Sequence, residues 1–79
     1  MTPLVGRVEI NPAVMLGKPV IRGTRIRVEL LLRKLADGSS IADLLEAYPN
    51  LAEEDIRAAI TYAADVVAHE TELNFPGRI

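Results

Sequence analysis

The chain has 79 residues, no cysteine, a single histidine and a formal net charge of −2, with a sequence pI near 5.3. A chain this short buries only about 60% of the surface its unfolded form exposes, so its core is thin. Disulfides and Cys/His zinc clusters are excluded as staples, which leaves association with other chains as the remaining staple for a thin core.

The charge is unevenly distributed. Residues 1–36 hold seven Lys/Arg against Glu9 and Glu29, a balance of +5, while the remainder holds Arg57 and Arg78 against nine carboxylates, a balance of −7. A cationic half joined to an anionic half suggests a polyanion-binding surface fused to a partner-binding one. The longest apolar region is interrupted by Arg57, Asp65 and Glu70, so no membrane span is expected. The start shows no basic segment followed by an apolar one, and a soluble cytoplasmic protein is the expectation.

Taken in chain order, Arg7 to Ile10 alternate polar and apolar side chains, which predicts a short half-buried strand that Asn11-Pro12 then breaks. Pro19-Val20-Ile21 and Arg25-Ile26-Arg27-Val28 predict two further extended pieces around Gly23, which supplies a turn with positive φ. Together they form a β arm over residues 7–28. Helical spacing takes over with Val28, Leu31, Leu32 and Leu35 on one face, predicting a first helix over 28–37. Arg33 and Lys34 suit the negative end of its dipole, and Gly38 is its left-handed stop.

Ser40-x-x-Asp43 is close to a capping box and opens a second helix over 40–48, with Ile41, Leu44, Leu45 and Tyr48 on its apolar side and Pro49 after it. The third helix is predicted over 52–69. It begins with Glu53, Glu54 and Asp55 at the positive end of its dipole, and Ile56, Ala59, Ile60, Ala63 and Val67 repeat along its apolar side. Asn74-Phe75-Pro76-Gly77 predicts that residues 71–79 form a tail beyond a single domain over 1–70. The expected fold is mainly α: three helices, the last two as a helix-turn-helix, behind a short N-terminal β arm.

Several segments carry a further resemblance. Gly17-Lys18-Pro19-x-Ile21-x-Gly23-Thr24-Arg25-Ile26-x-Val28, Leu35-Ala36-x-Gly38, Tyr48-Pro49-x-Leu51 and Glu54-Asp55-Ile56-x-Ala58-Ala59-Ile60-x-Tyr62-Ala63 resemble the domain of unknown function 433 family in order and spacing. The resemblance covers about residues 7–66. It implies a homeodomain-like helix-turn-helix fold and similarity to antitoxins of the VapB type, often paired with a PIN-like nuclease toxin. The implied role is to neutralise that toxin and to bind the operator of the shared operon. Two positions depart from the family pattern: Ala52 stands where Ser or Thr often caps the long helix, and Arg27 stands where Pro is frequent.

Lys18, Arg22, Arg25 and Arg27 are the candidate phosphate contacts, because Arg presents a planar donor fork and a β arm can lie along a groove. Charged edge strands also serve simply to block aggregation, so that reading stands beside the first. If a dimer neutralised eight phosphates in this way, log K against log salt would slope at up to about −7.

The third helix occupies the slot of a recognition helix, yet its acidic first turn would be repelled by DNA, leaving Arg57 and Thr61 as donors. The alternative is a protein-interaction module that shields a partner enzyme and touches no DNA. Leu73, Phe75, Arg78 and Ile79 suit a segment that folds onto a toxin groove. By analogy with related pairs, Arg78 would enter the nuclease's acidic metal site; the alternative is a tail packed on its own dimer or left disordered.

His69 is read as a dipole partner at a helix end, and Ser39 and Ser40 as caps. No pairing of acid and base, nucleophile, metal ligands or phosphate loop points to an enzyme, and no cofactor is expected. The expected partners are therefore the nuclease, operator DNA and a second copy of the chain, as a homodimer or higher homo-oligomer.

Overall fold

The computed structural model describes residues 6–13 and 15–74. Three two-residue strands, β1 (Val8–Glu9), β2 (Val20–Ile21) and β3 (Ile26–Arg27), form an antiparallel sheet in the order β1-β2-β3. Val8 pairs with Ile21 and Ile21 with Ile26, while Glu9 pairs with Val20 and Val20 with Arg27. Side chains alternate across a sheet, so Val8, Ile21 and Ile26 share one face and Glu9, Val20 and Arg27 the other. The first row packs into the core.

Three helices follow: α1 (Val28–Ala36), α2 (Ile41–Ala47) and α3 (Glu53–Asn74). The fold is mainly helical with a small sheet at its N-terminal end. The core joins Ile21 of the sheet, Val28 and Leu31 of α1, Leu44 of α2, Leu51 of the connection, and Ile56 and Ala59 of α3. Burying a branched side chain of this kind contributes about 1.5–3 kcal/mol, and α3 contributes most by meeting α1, β1 and α2 at once.

Each helix end has a local cause. The first α1 amide, on Val28, donates to the Pro19 carbonyl at 3.0 Å, which satisfies one orphan donor while no side chain caps that end. Gly38, at φ 105°, donates to the Leu35 carbonyl and Ser39 to that of Lys34, the two bonds that close a helix in a Schellman motif. Two residues later Ser40 and Asp43 form a full capping box, each side chain accepting from the other's backbone amide at 3.0 Å. The tight succession of stop and start turns α2 away from α1.

Two expectations are corrected. The third helix does not stop near His69 but runs to Asn74. Pro76 opposes helix at its own position and at the residue before it, and residues 69–73 contain no Gly or Pro, so no breaker ends the helix sooner. Ile60 and Val67, expected on the apolar side, are 43% and 57% exposed. The buried arc of α3 runs instead through Asp55, Ile56, Ala58 and Ala59, because the sheet and two short helices cover only the first half of so long a helix.

Candidate nucleic-acid interface

The β2–β3 hairpin presents the basic cluster. Its turn is closed by the Thr24 amide donating to the Ile21 carbonyl at 3.1 Å, with Gly23 at φ 83°. The Thr24 hydroxyl also donates to the Ile21 carbonyl at 2.8 Å and accepts from the Ile26 amide at 2.9 Å. One side chain thereby bridges both strands and holds the tip in shape.

Arg25 then adopts φ 62°, a left-handed conformation that costs a side-chain-bearing residue about 1–2 kcal/mol. Leu16, at φ 58°, is the other non-glycine residue with positive φ among the described residues. At Arg25 the geometry turns an exposed guanidinium out at the tip of the hairpin.

Lys18 and Arg22 are also exposed, and Arg27 is half-buried on β3. The Arg22 Nε–H donates to the Gly6 carbonyl at 2.6 Å, and the Arg22 amide to the Arg7 carbonyl at 2.8 Å. This tether fixes the direction of the Arg22 side chain and leaves its terminal nitrogens available. None of Lys18, Arg22, Arg25 and Arg27 makes an ion pair within 4.0 Å with any described carboxylate. Glu9 shares the sheet face of Arg27, across the buried Val20. A shallow concavity of about 240 Å³ lies here, lined by Glu9, Val20, Gly23, Thr24 and Arg25.

The remaining cations have carboxylate neighbours. Arg33 Nε donates to Glu29 Oε2 at 3.0 Å along α1, and Arg57 Nη1 lies 4.0 Å from Glu53 Oε2 along α3. Both pairs are exposed and worth little in stability. The Glu29 carboxyl titrates below its ordinary 4.5, first because Arg33 hydrogen-bonds and attracts its charged form, and further through Lys18 and Arg27. Arg57 therefore has a carboxylate at ion-pair distance, whereas none of the four arm cations has a described carboxylate within 4.0 Å.

Sequence reasoning missed Arg7. Its Nη1 donates to Asp55 Oδ1 at 2.8 Å, while Asp55 Oδ2 accepts the Ala52 amide at 2.9 Å. Ala52 has no side-chain oxygen with which to cap α3, but Asp55 supplies the reciprocal half of a capping box and spends its other oxygen on the sheet. The signal was present in the letters as Asp55, an acid on the buried arc of a helix, which requires a partner. Leu73 falls in the last turn of α3, and Phe75, Arg78 and Ile79 lie outside the described residues.

Comparison with known proteins settles the lineage. The model of a protein family of unknown function, DUF433, matches residues 8–63, well over half the chain. The chain belongs to the DUF433 family. It is 43% identical over 53 residues to "Uncharacterized protein y4eO" of Sinorhizobium fredii (strain NBRC 101917 / NGR234), covering 67% of this chain and 24% of that protein. The crystal structure of a DUF433 member protein from Anabaena variabilis ATCC 29413 superposes with a TM-score of 0.73 at 37% identity, over 78% of this chain and 61% of that one. The chain thus spans about a quarter of the Sinorhizobium relative. Among the described residues, no helix is long and apolar enough to cross a membrane.

Proposed function

We propose that this DUF433 protein is an antitoxin-like regulator that grips operator DNA through its basic hairpin and neutralises a PIN-like nuclease through its C-terminal residues. The observation that carries the DNA half is the set of four cations at Lys18, Arg22, Arg25 and Arg27, with no described carboxylate in ion-pair contact. Unpaired guanidinium groups held on a short braced hairpin can contact phosphates with little further ordering cost.

The helix-turn-helix description belongs to the same proposal. α2 and α3 are joined by residues 48–52, a connection of helix-turn-helix length, and the homeodomain-like classification rests on that length and on the family resemblance. In this account the acidic start of α3 stays out of the groove: Glu53 and Glu54 repel phosphate, and Asp55 is committed to Arg7.

Arg22→Ala and Arg57→Ala test the assignment, by gel shift on the duplex upstream of the protein's own reading frame. Arg22→Ala should weaken binding strongly and Arg57→Ala little; the reverse order would reject the hairpin as the binding element. For the nuclease half, deleting residues 75–79 leaves all described secondary structure in place. That deletion should abolish neutralisation of a nuclease encoded next to this protein while sparing DNA binding.

A second reading draws on the Glu53–Arg57 proximity of 4.0 Å, which leaves the recognition-helix position without an isolated cation. A protein-interaction module that shields a partner enzyme would need no such cation. Wild-type protein that shows no DNA binding at low salt, yet co-purifies with the adjacent gene product, would support it.

A further inference from the structure

Between α1 and α3 lies an apolar groove of about 260 Å³ whose lining includes Pro19, Leu32, Tyr62, Ala63, Val66 and Val67. We propose that a second copy of this chain docks in it, the exposed half of each α3 lying against α1 of the other across a twofold axis. The proposal names the surface of the dimer invoked for DNA binding. Its test uses neither DNA nor nuclease, so either account can fail alone.

α3 spans 22 residues, about 33 Å at 1.5 Å per residue. Its own chain covers the first half, and beyond Ala63 the apolar stripe continues into solvent through Val66 and Val67, 46% and 57% exposed. A protein this small gains from covering such a stripe, since its own core cannot.

The charges around the groove favour a copy of itself over other occupants. On the α1 side, Glu29 lines the groove but is met by Arg33 at 3.0 Å, and Lys18 and Arg27 lie close enough to act on its titration. That rim is basic. On the other side, the described side chains of α3 beyond Arg57 include Asp65, exposed, and no Lys or Arg. A groove with one basic and one acidic rim is self-complementary under a twofold: the acidic α3 of each copy meets the basic rim of the other. A uniformly acidic partner would be repelled by α3, and a uniformly basic one by Lys18, Arg27 and Arg33.

Sedimentation velocity on the full chain decides this. Wild type should sediment as a dimer at about 100 μM, and Val66→Glu/Val67→Glu should weaken self-association at least about tenfold. Both substituted positions are exposed in the single chain, so circular dichroism should be unchanged. Arg33→Glu should also weaken the dimer, and adding Asp65→Lys should restore it. Monomeric wild type, an unimpaired Val66→Glu/Val67→Glu variant, or failure of the charge exchange to restore association would overturn the proposal. Monomeric wild type that binds a nuclease through Val66 and Val67 would overturn it equally.

Discussion

The Arg7 guanidinium meets the Asp55 carboxylate at 2.8 Å across 48 residues of sequence, joining the segment before β1 to the first turn of α3. Only 11% of the Asp55 side chain is exposed, against 31% for Arg7. Because Asp55 also accepts the Ala52 amide, one carboxylate both starts the long helix and attaches the sheet to it.

Asp55→Ala should therefore destabilise the fold by about 2–4 kcal/mol, since it removes the mostly buried carboxylate that pairs with Arg7 and a capping bond together. Arg7→Ala should cost less, because the Asp55 carboxylate it leaves behind keeps its bond from the Ala52 amide. Ala52→Ser adds a hydroxyl cap at the amide of Asp55 and should stabilise by about 0.5–1 kcal/mol. Thermal unfolding of the three variants checks the order.

Arg25 sits in a backbone conformation that glycine tolerates better. Arg25→Gly should raise stability by about 0.5–1 kcal/mol while lowering DNA affinity, measured by calorimetry and fluorescence anisotropy on the same preparations. Loss of stability would show that the side chain makes a folding contribution larger than its backbone cost.

Glu9 shares the sheet face of Arg27 and adds a negative charge beside the concavity at the hairpin. Neutralising it without changing its shape, as Glu9→Gln, should strengthen DNA binding about two- to fivefold at low salt, and the gain should fade as salt rises. An affinity that fell would place Glu9 among the residues that hold the hairpin.

The lowered pKa of Glu29 has a defined sign. Its folded-state value lies below the ordinary 4.5, chiefly through the bond to Arg33. The associated stabilisation is present above the ordinary value and disappears as pH falls through the depressed one. A carbon-detected NMR titration should give a Glu29 midpoint below 4.5 that returns toward it in Arg33→Gln.

Much of this fold was legible because its signals are local. Gly38, the Ser40–Asp43 box and the Val28–Leu31 spacing each fix geometry within a few residues, and they set the limits of α1 and α2 to within a residue or so. The hairpin at Gly23 was likewise local. What failed was long-range or depended on coverage. No spacing shows that Arg7 will find Asp55, and a periodic apolar side cannot reveal that the described residues leave Val67 57% exposed. Pro76 marked a stop whose position the intervening residues shifted to Asn74. At the candidate interface, the cluster of cations could be read directly; the tether of Arg22 to Gly6 and the left-handed Arg25 could not, since both come from the way the hairpin closes.

The central claim is that the hairpin cations neutralise phosphate. Fluorescence anisotropy with the upstream duplex across a salt series measures this directly, comparing wild type with a variant carrying Gln at Lys18, Arg22, Arg25 and Arg27. The account predicts a steep wild-type dependence of log K on log salt, with a slope of up to about −7 for a dimer, and a much flatter, weaker line for the variant. Coincident lines for the two proteins, or a wild-type affinity indifferent to salt, would contradict it.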